Sequence, residues 1–287
     1  MIGIIINGAI LGAIFSLIAV GLNLQYGVTR ILNIAHGEFL MLGSYITYFF
    51  FTSYGVNPLV SLVISGPIVF ILGLLIQIVV FRKLVHVSRS AEELESRSLL
   101  ACFGLTFIIQ NVVAEIFRGT PIISAPYLNV STVILGEPVP LNMIVAAVMS
   151  VIISLVMYLV LRFTSIGLAM RATVEEPAGA QLVGINIFKI HAVSFGIGAL
   201  LAALAGSMLV MIYSNITPYI GPQYTFIALA VIILGGMGSF IGSLVGGFLI
   251  GYVYYASLTI DALITLAVVY SFLIILLIIR PKGLFGR

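Results

Sequence analysis

Long apolar runs, separated by short polar segments, extend over the whole chain. Because about 20 mostly apolar residues form a helix long enough to cross a bilayer, these runs predict about eight transmembrane spans. The predicted apolar segments are Ile2–Tyr26, Phe39–Phe51, Asn57–Phe81, Ser98–Phe117, Leu141–Leu161, Ala192–Tyr213, Pro222–Ala256 and Ala262–Ile279. The pattern therefore predicts an all-α protein, a polytopic transmembrane helical bundle that forms a single domain over residues 1–287.

Two of the apolar regions are interrupted. Gly27–Glu38 places charged and amide side chains between two apolar runs. The block Pro222–Ala256 would be about 50 Å long as one helix, whereas the hydrocarbon core is about 30 Å thick. It must therefore break, and its glycine-rich part, Gly235–Gly247, is where the break is expected. We predict broken or re-entrant segments at both places.

Paired broken helices are typical of a translocation pathway. The free N–H groups at their ends favour an anionic group, and glycine permits a close backbone approach. The candidate pathway residues are Asn33, His36, Gly37, Glu38, Gly235, Gly236, Gly238 and Ser239. Two ordinary tight turns would give the same pattern, and this alternative stays open.

His36 and Glu38 also raise the possibility of proton coupling, because ionisable residues inside a membrane protein often form proton relays. Such relays use chains of acids and histidines, and Glu38 has no second acid close to it in the sequence. The interpretation we prefer is a polar cluster at a helix start, satisfied by neighbouring backbone groups.

The segment Arg162–His191 is the longest polar stretch in the second half of the chain. Its charges cannot lie in hydrocarbon, because a charged side chain at the bilayer centre costs at least about 2.5 kcal/mol. We predict an aqueous loop that contains a short helix, capped by Thr173, with Glu175 and Glu176 in its first turn and Gly184 at its end. The loop is either a solvated connector or a docking element.

The basic residues predict the orientation. Segments Arg82–Arg97, Arg162–Lys189 and the tail from Arg280 hold four, three and three of the twelve Lys and Arg residues. Because positive charge favours the cytoplasmic side, these segments and the C-terminus are predicted to be cytosolic. The proline-rich Gly119–Pro140 is predicted to be an extended external loop, and Glu115 can pair with Arg118 beside it.

Composition supports a membrane protein and excludes several functions. The chain is 62% hydrophobic and 7% charged, with a mean hydropathy of +1.28, whereas a soluble domain is about 25% charged. The net charge of +3 does not indicate a nucleic-acid partner, and the single cysteine, Cys102, excludes an intrachain disulfide. No phosphate-binding loop, metal-ligand set or catalytic arrangement occurs, so we expect no enzyme activity and no cofactor in this chain. Any ATP hydrolysis would require another subunit.

Small residues recur at every fourth position of the segment Ala192–Tyr213. Gly198, Ala202 and Gly206 form one such row, and Ala199 and Ala203 form another. Rows of this kind let helix backbones approach closely in lipid, so we expect this segment to lie in a tightly packed interface.

Several stretches, in order along the chain, resemble the permease subunits of branched-chain amino-acid importers of the ATP-binding cassette class. They are GLNLQYGVTRILNIAHGEFLMLGSY (21–45), SLLACFGLTFIIQN (98–111), MRATVEEPAGAQLVGIN (170–186), FGIGALLAALAG (195–206), AVIILGGMGSFIGSLVGGFLIG (230–251) and RPKGLFG (280–286). The length resembles that of the smaller, H-type permease of such systems.

The resemblance implies a multi-pass permease in the cytoplasmic (inner) membrane of a prokaryote. It implies as partners a second permease subunit, two cytosolic ATPase subunits, an extracytoplasmic substrate-binding protein and membrane lipid. It also implies that the helix between Glu175 and Gly184 docks on the ATPase. The implied coupling residues are Arg171, Glu175, Glu176, Ala178 and Gly184. This chain departs from the common Glu-Ala-Ala pattern by having Glu176-Pro177-Ala178.

The favoured function is therefore that of the transmembrane permease of an importer for branched-chain or other small amino acids. One alternative is a sister-family permease for urea or short amides. The other is a stand-alone secondary transporter that couples to protons through His36 and Glu38 and needs no ATPase.

Overall fold

The computed structural model describes residues 1–118, 122–128 and 130–286. This part of the chain consists of helices joined by short turns, with one β-hairpin. The helices are α1 (Ile2–Thr29), α2 (His36–Tyr54), α3 (Pro58–Ile76), α4 (Arg82–Val87), α5 (Ala91–Ile116), α6 (Leu141–Phe163), α7 (Ser165–Glu175), α8 (Pro177–Leu182), α9 (Ile187–Ile212), α10 (Gly221–Gly235), α11 (Phe240–Leu258) and α12 (Thr265–Ile279). The antiparallel hairpin joins β1 (Ser131–Ile134) to β2 (Glu137–Pro140).

The predicted all-α bundle is confirmed, but the number of spans is not. Within the described ranges, six helices are long and apolar enough to cross a membrane: Ile2–Thr29, Pro58–Val87, Glu92–Ile116, Leu141–Phe163, Ile187–Ile212 and Phe240–Leu258. Two further apolar helices, α10 and α12, are shorter, with 15 residues each. A 15-residue helix is only about 22 Å long, less than the hydrocarbon thickness.

Helix α1 lies at the centre of the bundle, between α6, α9, α10 and α11. Glycines allow α11 to lie almost backbone to backbone against it. A Cβ on Gly12 would be 2.7 Å from the Phe248 Cα, and Ser16 Oγ donates a hydrogen bond of 2.9 Å to the Leu244 carbonyl. Gly247 in turn packs against Ser16. The later glycines of the predicted break Gly235–Gly247, which are Gly242, Gly246 and Gly247, therefore lie on packing faces inside α11.

The small-residue rows of α9 are packing faces, as predicted. Gly198 lies against the Gly21 carbonyl of α1, and Ala199 lies against Gly73 of α3. On α2, the Ser44 hydroxyl donates to the Gly206 carbonyl at 2.8 Å. Such contacts satisfy polar groups and maximise van der Waals contact where lipid supplies no hydrophobic driving force between helices.

Both predicted interruptions exist but are shorter than expected. The first is residues 30–35, because Gly27 belongs to α1 and His36, Gly37 and Glu38 begin α2. Arg30 ends α1 in the left-handed region, with φ of 57°. The second break is residues 236–239. Gly236 and Gly238 have φ of 99° and 86°, values that favour glycine because it has no Cβ.

The cytosolic-loop prediction needs correction at the start of its helix. Thr173 is not a cap: it lies inside α7, and its hydroxyl donates to the Ala169 carbonyl at 2.8 Å. Helix α7 ends at Glu175, and Glu176 caps α8 by accepting from the Ala178 N–H at 3.4 Å. Pro177 then starts the new helix because it needs no N–H partner there. Gly184, with φ of 86°, follows the helix as predicted.

Two other polar segments contain regular secondary structure. Most of Arg82–Arg97 is helical, because α3 continues through a π-helical turn (Gln77–Phe81) into α4, and only residues 88–90 separate α4 from α5. Gly119–Pro140 contains the β-hairpin and is not simply extended. Residues 119–121 and 129 of that segment, and Arg287 of the tail, lie outside the described residues. The predicted pair Glu115–Arg118 is present.

The close approach of α9 and α2 gives a test of the packing. A Cβ on Gly206 would overlap the Leu40 carbonyl oxygen, so Gly206→Ala should lower the free energy of unfolding by about 1–3 kcal/mol. Gly104→Ala on α5 is the matched control, because that site is open and alanine is the better helix former by up to about 1 kcal/mol. Thermal unfolding of the two variants in detergent measures the difference, and equal midpoints would contradict this packing.

Candidate functional site

The first break, residues 30–35, is held by the side chain of Gln25 on α1. Gln25 Nε2 donates to the Phe195 carbonyl at 2.9 Å, and Gln25 Oε1 accepts from Asn33 Nδ2 at 3.1 Å. The His36 ring lies between the same Oε1 atom, at 3.2 Å, and the Ile18 carbonyl, at 3.1 Å. All of these side chains are buried. Asn33 and His36 therefore take part in a closed polar network inside the bundle.

Glu38 lies where the first turns of α2 and α10 meet. Its Oε1 atom accepts from Gln110 Nε2 of α5 at 2.9 Å. The backbone of Gly221, the first residue of α10, packs so closely that a Cβ there would be 2.6 Å from the carboxylate carbon. Next to it, the Gly37 N–H donates to Thr225 Oγ1 at 2.7 Å. Two helix N-termini, each with partial positive charge, thus lie beside one buried carboxylate.

The second break, residues 236–239, is held by Asn23, two residues before Gln25 on α1. Asn23 Oδ1 accepts from the Gly238 N–H at 2.6 Å. Its Nδ2 atom donates to the Ser239 carbonyl and to Ser243 Oγ, both at 2.7 Å. The Ser239 side chain caps α11 by accepting from the Gly242 N–H at 3.0 Å. One amide side chain therefore pairs both the Gly238 N–H and the Ser239 carbonyl of this break.

The C-terminal tail covers the other side of this break. The Leu284 N–H donates to the Leu234 carbonyl at 2.8 Å, and the Phe285 N–H donates to the Gly235 carbonyl at 3.1 Å. A Cβ on Gly236 would lie 2.5 Å from the Gly286 nitrogen. Gly235 and Gly236 are consequently buried under the tail.

A cavity of about 680 Å³ opens beside Gly238 and Ser239. Its walls include three basic side chains, Arg30, Arg162 and Arg171, and the tail residue Phe285. The Arg82 guanidinium lies over the Phe188 ring, 5.3 Å from its centre, which connects the first basic segment to the second. All three basic segments of the sequence are therefore at the same end of the bundle. The β-hairpin is at the other end, where Glu137 meets Gly3.

The predicted pathway residues form two groups. Gly37 and Glu38 lie at the start of α10, Asn33 and His36 lie against Gln25 of α1, and Gly235, Gly236, Gly238 and Ser239 surround the end of α10. Because α10 has 15 residues, Gly37 and Glu38 are separated from the residues at its end by about 22 Å along its axis. The sequence correctly singled out both breaks, but the fold does not join them into one site.

The predicted coupling residues share one property, exposure at the basic end of the bundle: Arg171, Glu175, Glu176, Ala178 and Gly184. Arg171 Nη2 donates to the Arg162 carbonyl at 3.3 Å, which ties α7 to the end of α6. The last turn of α8 also presents two aliphatic side chains to solvent, Leu182 with 89% exposure and Val183 with 76%. Exposed aliphatic side chains on a short helix outside the bundle are suited to protein contact.

Sequence reasoning missed Asn23, Gln25, Thr225 and Leu182. A signal for the first two was present, because an amide in a long apolar helix is costly unless it has a specific partner. The signal for Leu182 was weaker: Leu182 and Val183 form an apolar pair within a polar loop. Among the residues that the structure describes, no three His, Cys, Asp or Glu side chains converge, and no metal centre is assigned.

Comparison with known proteins gives matches over almost the whole chain. Residues 4–280 match the protein family described as "Branched-chain amino acid transport system / permease component". The high-affinity branched-chain amino acid permease protein LivH of Salmonella typhimurium is 30% identical over 98% of this chain and 94% of its own length. The corresponding protein BraD of Pseudomonas aeruginosa is 32% identical over 99% and 95%.

More distant similarity extends beyond these proteins. The ribose import permease protein RbsC of Haemophilus influenzae is 32% identical, but over only 45% of this chain and 40% of its own length. No solved structure matches the chain.

Asn23 provides a test of how the second break is maintained. Asn23→Ala removes three hydrogen bonds, two of them to the backbone of the break, so it should lower the free energy of unfolding by about 2–4 kcal/mol. Asn7→Ala, on the same helix, removes one bond to the Gly3 carbonyl and should cost less than about 1 kcal/mol. Thermal unfolding in detergent compares the two. A loss at Asn23 no larger than that at Asn7 would show that the break does not depend on this side chain.

Proposed function

Because the chain belongs to the permease-component family of branched-chain amino acid transport systems, we propose that it is the transmembrane permease of an ATP-driven importer that moves branched-chain or other small amino acids into the cytoplasm. The family match over residues 4–280 carries the proposal. The relatives named for branched-chain amino acids match the whole chain, whereas the ribose permease matches less than half of it. This difference favours amino acids over sugars.

Coupling to ATP hydrolysis would occur through α8 and the residues around it. The helix lies outside the bundle, is exposed on most of its surface and ends in the aliphatic pair Leu182 and Val183. A helix of this kind fits a groove on a cytosolic ATPase, with the exposed aliphatic side chains buried on docking. Arg171, Glu175 and Glu176 would supply polar contacts at the rim of the interface.

The proposed assembly has two permease subunits, two cytosolic ATPase subunits and an extracytoplasmic substrate-binding protein. The chain would lie in the cytoplasmic membrane of a prokaryote, with the basic end of the bundle and the C-terminus in the cytosol, since basic segments favour that side. The hairpin would then face outwards. Apolar side chains exposed along α5 and α6, such as Phe107 and Leu155, would contact lipid or the second permease.

Urea or a short amide is the alternative substrate class, and a proton-coupled secondary transporter is the alternative mechanism. The second has less support, because His36 lies in a network of neutral amide and carbonyl groups and no second acid adjoins Glu38 among its described partners.

The coupling role of α8 predicts the effect of a charge on its exposed end. Leu182→Glu should reduce co-purification of the ATPase by about tenfold or more, since central apolar residues carry most of the energy of an interface. It imposes no backbone strain, in contrast to a change at Gly184, where φ is positive. Val133→Glu is the matched control, because Val133 is an aliphatic residue that is 70% exposed on the hairpin. Unchanged ATPase binding by the Leu182 variant would favour a solvated connector.

Substrate class is tested with the reconstituted complex and its binding protein. Uptake of leucine should exceed that of glutamate or lysine, because the chain provides many aliphatic side chains and few buried charges for an ionic side group. Uptake should also require ATP and the ATPase subunits. Better uptake of urea or a short amide would assign the protein to the sister group, and leucine uptake by the permease alone would indicate a secondary transporter.

A further inference from the structure

A second, smaller cavity, of about 290 Å³, lies between the end of α3 and the start of α9. We call it the basic cleft, because its walls include two cationic side chains, Arg82 and Lys189. No acidic side chain is among the described residues that line it, and neither cation belongs to an ion pair within the described ranges. The cleft therefore has positive charge that nothing in the described part of the chain neutralises.

A π-helical turn brings Gln77 and Arg82 to the same cleft. In the turn Gln77–Phe81, the Arg82 N–H donates to the Gln77 carbonyl, so the hydrogen bond joins residues five apart. In a regular α-helix with 3.6 residues per turn, residues five apart would point about 140° away from each other. Turns of this kind are rare and frequently lie at functional sites. Here the irregular turn allows both side chains to line one cavity.

The Arg82 guanidinium is oriented by an aromatic ring. It lies 5.3 Å from the centre of the Phe188 ring, and the His86 ring packs on Phe188 with ring centres 4.8 Å apart. Stacking holds a guanidinium without using its N–H groups, which stay available for an anion. Lys189 directly follows Phe188 in the chain and adds a second charge. Arginine and lysine together are well suited to bind a phosphate group.

The amide of Gln77 provides an independent indication of a ligand. Gln77 is only 2% exposed, and its Oε1 atom has no hydrogen-bond partner among the described residues. A buried amide oxygen without a partner is unfavourable. Because an amide oxygen is an acceptor, a hydroxyl group of a bound molecule would supply the missing donor.

The surroundings of the cleft favour a lipid over a soluble anion. Ile71, Leu75, Ile78 and Val79 form an exposed aliphatic stripe on α3 and its π-helical turn, and Ile78 also lines the cleft. The continuous helix Pro58–Val87 has 30 residues, about 45 Å, and exceeds the hydrocarbon thickness of about 30 Å. Its basic end therefore reaches the level of the lipid headgroups.

The size of the cleft agrees with this assignment. At about 30 Å³ per water molecule, it has the volume of roughly ten waters. A phosphate headgroup fits this space, whereas acyl chains do not and would lie along the aliphatic stripe.

We propose that the basic cleft binds an anionic phospholipid whose headgroup carries hydroxyl groups, of the phosphatidylglycerol type. The phosphate would contact Arg82 and Lys189, and a headgroup hydroxyl would donate to Gln77 Oε1. The bound lipid would thus join the end of α3 to the start of α9 and stabilise their contact. This inference concerns a lipid ligand and does not depend on which solute the protein transports.

Local lipid binding is the first test, and the chain is suited to it because it contains no tryptophan. Val79→Trp places a fluorophore beside the cleft, and Val156→Trp, at a similarly exposed valine on α6, is the matched control. The full-length chain is reconstituted in bilayers, and quenching by brominated phosphatidylglycerol is compared with quenching by brominated phosphatidylcholine. At position 79 the anionic lipid should bind about tenfold more tightly, because basic side chains near the membrane surface attract it. At position 156 the difference should be less than about threefold, and equal preferences at the two positions would overturn the site.

Charge variants test which residues hold the lipid. In the Val79→Trp background, Arg82→Gln with Lys189→Gln should reduce the preference to the value at position 156. Lys83→Gln with Arg89→Gln is the control, because it removes the same charge from exposed side chains that do not line the cleft. It should keep at least about half of the preference. An equal loss in both double variants would indicate diffuse attraction and overturn the site.

The contact with the headgroup hydroxyl is tested separately with Gln77→Leu. This change removes the amide without altering the charge, and it should lower the preference for phosphatidylglycerol about threefold. An unchanged preference would show that Gln77 does not contact the headgroup.

Thermal unfolding of the full-length chain in detergent separates a lipid from a soluble phosphate ester. Phosphatidylglycerol should raise the unfolding midpoint of the wild type, because a ligand that binds only the folded state stabilises it. The midpoint of the Arg82 and Lys189 double variant should not respond, although without added lipid it should stay close to that of the wild type, since both side chains are exposed. Glycerol 3-phosphate, which lacks acyl chains, should have no effect on the wild type. An equal shift with glycerol 3-phosphate would assign the cleft to a soluble phosphate ester and overturn the lipid, and no shift with phosphatidylglycerol would overturn its stabilising role.

Discussion

Backbone polar groups released inside an apolar bundle must find partners, and the two helix breaks of this protein depend on that requirement. In water, solvent would pair the carbonyl and N–H groups of residues 30–35 and 236–239. In the bundle, the Ile31 N–H of the first segment donates to Thr29 Oγ1 and the Ala35 N–H donates to Asn33 Oδ1, while Gln25 of α1 holds the Asn33 side chain. Asn23 of α1 pairs directly with the backbone of the second segment, at Gly238 and Ser239. An unpaired group in hydrocarbon costs several kcal/mol, so both breaks depend on polar side chains of α1 or of the segment itself.

Close backbone packing is the second constraint, and it keeps α1 within reach of both breaks. Glycines on α1, α9 and α11 remove the side chains that would separate the helices: Gly12 meets Phe248, and Gly198 meets Gly21. Lipid gives no hydrophobic force between helices, so this contact area and the few interhelical hydrogen bonds stabilise the bundle. The same glycines that the sequence displays as a pattern thus serve to position Asn23 and Gln25.

The arrangement separates the functional surfaces along the bundle. Basic side chains, the exposed helix α8 and the cavity beside Ser239 occur at one end. Glu38 lies at the other end of α10, about 22 Å away. Helix α10 connects them, since its first residue touches Glu38 and its last residue is covered by the C-terminal tail. A short helix between two breaks thus connects the basic end of the bundle to a buried carboxylate.

The sequence by itself determined the membrane bundle, the family resemblance, the existence of both breaks and the exposed helix that Gly184 follows. These features depend on composition, on segment length and on glycine, which act locally. It did not determine which side chains pair with the breaks, that Gly247 packs against α1 while Gly242 and Gly246 pack against α10, or that Thr173 lies inside a helix. Only the tertiary structure decided these points, because they depend on contacts such as Asn23 with Gly238 and Glu38 with Gln110, which join residues far apart in the chain. The order of residues fixes where the backbone can break, but the partner that makes a buried break stable is chosen by three-dimensional proximity.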